Sequence, residues 1–258
     1  FVRDFSDLFN RRAFSLGYLR VYLDPLVQRW SALISGDFDG YRSRVVTDDS
    51  EWPILRVHFP SSVDAQDIDL HFDELETYEG QRNTSPLTVP LLIESSTRYI
   101  VWSEAATIRP RGTMSEKRKQ AVARAEKRHG KRKDNSRRAI RRTLARGAQL
   151  APSAQTIVLS TDEKSTYPGL AERAFGRRRL DHRTTNSKLA RGSWNPLFAI
   201  NHEEAIARDL SGRLRRQSWL VSKKRRYLDL GLQLHAAYRN LVRSRFNYDD
   251  ESPAQLLG

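Results

Sequence analysis

Three carboxylate positions, far apart in the chain, form a set able to bind divalent cations. Asp73 ends an alternating segment, Asp162 follows a β-branched run, and the third acid lies in Asn201-His202-Glu203-Glu204, near the start of a helical pattern. The first two sit where a predicted strand hands over to a loop, the usual place for functional groups in α/β sheets. Three such acids on one sheet-and-helix scaffold can hold two divalent cations roughly 3.5–4 Å apart. Hard oxygen ligands suit Mg2+ or Mn2+ better than zinc. Such a site activates a water or a DNA 3′-hydroxyl for in-line attack on phosphorus. The chain holds 31 Asp and Glu, so spacing alone does not single out these three.

The surrounding charge narrows the chemistry. The 258 residues carry 45 Lys and Arg against those 31 acids, a formal net charge of +14. The excess is concentrated: 15 Lys and Arg face 3 acids between Arg111 and Arg146, and 14 face 4 between Arg177 and Arg226. The remainder is therefore acidic, near −8. Two basic blocks on an acidic remainder make a directional field, whose usual partner is a polyanion. There is no cysteine, which excludes a disulfide scaffold, a cysteine-ligated zinc and a thiol nucleophile, and fits a cytoplasmic protein. No apolar run approaches the roughly 20 residues of a membrane span. Glycine-rich nucleotide loops and Gly-x-Ser-x-Gly are absent, so neither a nucleotide cofactor nor a simple serine hydrolase is indicated. The chain opens at Phe1 and its one methionine is Met114, which reads as a fragment lacking its translated start.

The elements that would position the acids follow from periodicity. Apolar residues recur at three- and four-residue steps over 1–35, a helical pattern interrupted by Pro25. Turn signals at Gly36-Asp37 and Asp39-Gly40 lead into a polar connector through Ser50, and Trp52 to Phe59 holds a short strand. Three adjacent antiparallel strands are predicted at Ile68–Asp73, Leu87–Ile93 and Tyr99–Ser103, with a hairpin turn at Glu94–Thr97. Pro90 is awkward in the second, since it donates no ladder hydrogen bond. Residues 113–147 are helical, broken at 130–135, and too poor in apolar residues for a core helix; they read as an insertion that lies on the surface or orders on a partner. Thr156–Ser160 is the next strand, Tyr167–Phe175 a helix, and Leu180–Thr184 a fifth strand. Long helical patterns cover Ile200–Trp219 and Ser222–Arg243, the second with an apolar stripe that covers the sheet or a dimer partner. The fold class is α/β with a mixed sheet.

Three blocks carry a family resemblance: 72–79 (FDELETYE), 160–168 (STDEKSTYP) and 194–202 (WNPLFAINH), supported by 207–210 (ARDL) and 213–224 (RLRRQSWLVSKK). In order and context, from about Ile68 to Asn247, the chain resembles bacterial insertion-sequence transposases of the Asp-Asp-Glu type. The resemblance implies an RNase H-like mixed sheet with flanking helices, and a basic helical insertion between strands three and four of that domain. It implies a catalytic domain over 61–248, the insertion at 113–150, a tail at 249–258, and a helical region at 1–60 as the remnant of a DNA-recognition module. Asp73 would be the first acid, on the first strand of the domain, and Asp162 the second, on the fourth. The third would lie on the helix after the fifth, with Glu204 favoured by the Asn-His-x-Glu context. Glu203, about 100° around the helix, and Asn201, whose carbonyl also ligates Mg2+, stay open as alternatives. The implied activity is metal-dependent cleavage and strand transfer at insertion-sequence ends. It needs two Mg2+ or Mn2+ ions and acts on element ends and target DNA, as a homo-oligomer on DNA in the bacterial cytoplasm and nucleoid. Two features depart from the family: there is no cysteine-rich zinc ribbon and no clear recognition helix. They leave a catalytically inactive DNA-binding remnant as the alternative.

Around the acids, Lys188, Arg191, Arg208, Arg215, Arg216, Lys223, Lys224 and Arg225 are the expected DNA contacts. Trp219 stacks on an unpaired base or packs in the core. Glu74 and Glu76, flanking Asp73, read as surface or loop acids, the alternative being that one of them supports the site from behind the ligands. Lys164 reads as a phosphate contact or a solvated loop lysine, and His202 as a proton shuttle or a packing histidine.

Overall fold

The structure is a computed structural model. It describes residues 67–215 and 220–257, and the backbone of two short strands at 44–47 and 53–56. The chain divides into two compact units, 1–61 and 62–258. In the first, β1 (Arg44–Thr47) and β2 (Pro53–Arg56) pair antiparallel. β2 falls within the strand expected at Trp52–Phe59. β1 replaces part of the expected polar connector, because Val45 and Val46 are β-branched and favour extended backbone. The helix expected over 1–35 and the turns after it lie outside the described residues.

The second unit is built on β3 (Asp67–Tyr78), β4 (Pro86–Glu94), β5 (Ile100–Ser103), β6 (Ala106–Thr107), β7 (Thr156–Asp162) and β8 (Leu180–Thr185). The sheet order is β5-β4-β3-β7-β8, with β6 also on β4. β3, β4 and β5 are antiparallel neighbours, while β3, β7 and β8 run parallel. This is an α/β fold with an open mixed sheet flanked by helices. β3 runs on past the expected end at Asp73 because β4 supplies partners as far as Tyr78↔Pro86, so Asp73 lies inside a strand and not at its end. Pro90 is accommodated where the outer edge of β4 changes partner: β5 pairs with Leu91–Ile93 and β6 with Leu87 and Thr88. Between them, the Ala105 N–H leaves the sheet and donates to Asp229.

The helices of this unit are α1 (Glu116–His129), α2 (Ser136–Leu150), α3 (Tyr167–Phe175), α4 (Phe198–Leu210), α5 (Arg225–Leu241) and α6 (Pro253–Leu257). Side chains alternate along β3. Leu70 lies beside Gly147 of α2 and Phe72 packs edge-on against Tyr167 of α3, at 5.0 Å between ring centroids. Asp73, on the opposite face, meets Glu204 of α4. Helices therefore cover both faces.

The reading of 113–147 as one surface insertion is corrected. α1 buries no residue, but α2 buries Ala139, Ile140, Thr143, Leu144, Gly147 and Leu150. These form a narrow stripe, half of them small residues, so low apolar content concealed a crossover helix that joins β6 to β7. Close approach takes the place of bulk. A Cβ at Gly147 would stand 2.8 Å from Leu92 Cδ2 and 3.2 Å from Leu70 Cδ1.

The pattern expected over Ile200–Trp219 ends at Leu210, where Ser211 and Gly212 turn the chain. α5, expected to cover the sheet, also satisfies its open edge. Asn240 accepts from the Ile100 N–H at 2.8 Å and donates to the Ile100 carbonyl at 2.9 Å, and Gln233 donates to the Ser103 carbonyl. An edge strand so covered cannot template another chain.

Gly147→Val is expected to cost about 1–3 kcal/mol through overpacking. Gly169→Ala, in α3 with nothing within 4 Å of the new methyl, is expected to be neutral or stabilising by up to about 1 kcal/mol. Urea midpoints at unchanged slope test both.

Candidate active site

The site forms where two parallel strands part. The β3–β7 ladder ends at His71↔Ser160, while β7 stays paired with β8 through Asp162↔Thr185. Carried two residues further, the same register sets Asp73 against Asp162 on one face. Beyond that fork the edge of β3 has no β7 partner, and a cleft of about 360 Å³ opens there. Asp73, Asp162, Asn201 and Glu204 all line it.

Helix α4 presents its two adjacent glutamates in different directions. Glu203 is fully buried and takes Arg239 of α5 in a bidentate pair at 2.8 and 2.9 Å, with His235 Nε2 at 3.7 Å. Glu204, about 100° around the helix, points into the cleft beside Asp73. Of the three alternatives for the third acid, Glu204 and Asn201 face the cleft, and Glu203 does not. His202 also lies outside it, stacked on Phe198 at 5.6 Å, with burial holding its pKa down.

Like charge crowds the cleft. Burial, then the neighbouring Asp73, pushes the Glu204 carboxyl up to about 8. The Asp73 carboxyl is also raised, first by burial and further by Asp162 and Glu74, against the Glu74 N–H that it accepts at 2.7 Å. Asp73 is thus the central acid, coupled to Asp162 on one side and to Glu204 on the other. Without a cation this group keeps a proton near neutral pH. The buried Oε1 of Glu204 has no hydrogen-bond partner. Hard oxygens, crowded negative charge and one orphaned carboxyl oxygen fit a hard divalent cation. Among the described residues no three His, Asp or Glu side chains are already drawn around one ion position. An ion held by two carboxylates would complete its shell with water or phosphate.

The cleft is rimmed with positive charge. Arg111, Lys164, Arg191 and Arg208 line it, and Arg208 stands 3.4 Å from Glu204. Of the other expected DNA contacts, Lys188 is exposed on the same loop as Arg191, and Lys223 and Lys224 are exposed before α5. Arg215 turns back to the Arg208 and Asp209 carbonyls. Arg225 is engaged with the Ala105 carbonyl and Asp229, and its N–H donates to Glu79. Arg216 and Trp219 lie outside the described residues.

Glu74 is corrected from a surface acid to a buried anchor. Its carboxylate accepts from Lys164, from the Tyr167 hydroxyl at 2.7 Å and from Thr88 at 2.8 Å. Burial and Glu74 push the Tyr167 hydroxyl far up, so it stays a donor. Alternation put Glu74 on the face opposite Asp73. It did not show that the cleft reaches both faces once β7 ends. Glu76 is exposed and pairs with Arg111.

No protein-family model matches the chain, and no curated protein matches it. Among the described residues no helix is long and apolar enough to cross a membrane.

Arg239 holds the Glu203 carboxyl down at about 2 against the burial that would raise it. The stability this pair adds is complete above the ordinary value of 4.5 and is lost as pH falls toward 2. Glu203→Gln strands Arg239 and is expected to cost about 3–5 kcal/mol, with a flatter stability profile between those pH values. Glu204→Gln removes a like-charge contact and is expected to hold or raise stability. Denaturation midpoints across pH distinguish the two.

Proposed function

We propose that this chain is the catalytic part of a DNA transposase that cleaves DNA at insertion-sequence ends and joins the freed 3′-hydroxyl to target DNA. One observation carries the reading: Asp73, Asp162 and Glu204, from two strands and a later helix, line a single cleft rimmed by basic side chains. The sheet order supports it. Three antiparallel strands followed by two parallel ones, with acids on the first, the fourth and the helix after the fifth, is the layout an RNase H-like domain would have.

In this reading Asp73, Asp162 and Glu204 would hold two Mg2+ or Mn2+ ions, which would supply activation of a water or 3′-hydroxyl and stabilisation of the oxygen leaving phosphorus. The chain's own residues do the rest. Arg191 and Arg208 neutralise phosphate oxygens at the mouth of the cleft. Glu74 holds the Lys164 ammonium at the wall of the cleft through their ion pair. Glu204 would have to give up its proton to hold a cation, so cation affinity is expected to rise with pH up to about 8. The alternative reading is a remnant that binds DNA without cutting it.

The test is incubation of the chain with supercoiled plasmid DNA and Mg2+ or Mn2+, scored for nicked and joined products. Asp73→Asn, Asp162→Asn and Glu204→Gln are each expected to lose at least about 100-fold in rate. Exposed Glu163→Gln is expected to stay within about twofold of the wild type. Wild-type rates in Asp73→Asn would remove the mechanism, and binding without any product would favour the remnant. A second readout is independent of turnover. Mg2+ at a hundredfold excess over its Kd is expected to raise the wild-type Tm by about 5–10 °C, more at pH 8 than at pH 6, and to leave Asp73→Asn unmoved.

A further inference from the structure

Helix α1 has no role in the core. It buries none of its 14 residues, yet it is closed at both ends: Ser115 caps its start by accepting from the Arg118 N–H, and the Gly130 N–H donates to the Glu126 carbonyl. It stands between two glycines with positive φ, Gly112 at 80° and Gly130 at 76°, each in open space. Its feet are nonetheless tied down. On one side Arg111 pairs with Glu76. On the other Arg132 pairs with Glu79 at 2.8 Å and donates to the Ile108 and Pro86 carbonyls. Glu76 and Glu79 belong to the same run of chain as Asp73, and Arg111 and Glu76 line the cleft. The helix is rooted at the mouth of the site.

The exposed surface of α1 is predominantly basic. Lys117, Arg124, Lys127 and Arg128 are exposed and fall at i, i+7, i+10 and i+11, within about one quarter of the helix circumference. The half-buried residues Arg118, Ala121, Val122 and Ala125 lie on another side. Of the two acids of α1, Glu116 is paired with Lys119 and Glu126 is half-buried. A helix of this length with no buried face is marginal in water by itself. Four cations on one face of a rod about 21 Å long match the phosphates along one side of a duplex over about half a turn.

We infer that α1 is a backbone grip for duplex DNA, set beside the cleft and separate from it. The inference deepens the proposed function, because the duplex held by α1 is the one whose strand enters the cleft. It requires no base contact, so the grip is independent of sequence.

The test uses the whole chain and the variant Lys117→Gln/Arg124→Gln/Lys127→Gln/Arg128→Gln. Glutamine keeps helix propensity, and no buried contact is touched, so circular dichroism and Tm should not change. Binding of a 40-bp DNA duplex is measured from about 50 to 200 mM salt. The slope of log K against log salt is expected to fall by about 3–4 in the variant. The wild type would then lose about 100-fold more affinity than the variant across that range. An unchanged slope overturns the inference, as does wild-type binding that is tighter to single-stranded RNA or to phosphatidylserine vesicles than to the duplex. A reduced slope in a chain that cuts no DNA supports the grip and overturns the transposase reading. An unchanged slope in a chain that cuts DNA and loses cutting with Asp73→Asn does the reverse.

Discussion

The buried pair between Glu203 and Arg239 decides which way α4 faces, and the rest of the site depends on that direction. A carboxylate with no exposure needs a full complement of donors, and the guanidinium provides two in one plane. Arg239 comes from α5, which Asn240 ties to both backbone groups of Ile100. Helix α4 is therefore fixed in rotation against an element that is itself fixed to the sheet. With Glu203 turned to α5, Glu204 is turned to Asp73.

This arrangement keeps an unfavourable cluster in place. Asp73 and Glu204 are buried and repelled, Asp73 by Asp162 and Glu204 by Asp73, and both have raised pKa values as a result. Free loops would carry such groups apart. Here Asp73 sits within a strand hydrogen-bonded to β4, Asp162 ends a strand paired with β8, and Glu204 is held by its neighbour. The core supplies that rigidity through close approach, with Gly147 letting α2 settle onto Leu70 and Leu92. The acidic centre lies in a chain of net charge +14, and Arg191 and Arg208 draw the carboxyl pKa of Glu204 back down. The rim therefore carries positive charge and the floor negative charge.

Much of the sheet was legible in the sequence because strand signals are local. Alternation over Ile68–Asp73, the β-branched and aromatic run at Tyr99–Ser103, and Thr156–Ser160 before Asp162 each carry their own period. The α3 boundaries were legible too, with Pro168 and Gly176 marking them. What failed depended on partners. β3 continues past Asp73 because β4 is beside it. α2 is a core helix because Gly147 meets Leu70 and Leu92 of the sheet. Glu74 is buried because Lys164, Tyr167 and Thr88 converge on it, from residues as far as 93 positions away.

The sequence by itself determined the α/β alternation, the concentration of positive charge in two blocks and the identity of the acids available for chemistry. Each is a property of residue type and spacing along the chain. Only the tertiary structure decided between Glu203 and Glu204. Periodicity states that they point about 100° apart; it does not state which direction holds an arginine and which holds Asp73. The meeting of Asp73 with Asp162 was likewise settled by the register of two parallel strands joined through a long connection. Register is set by the packing of whole faces, and no single residue encodes it.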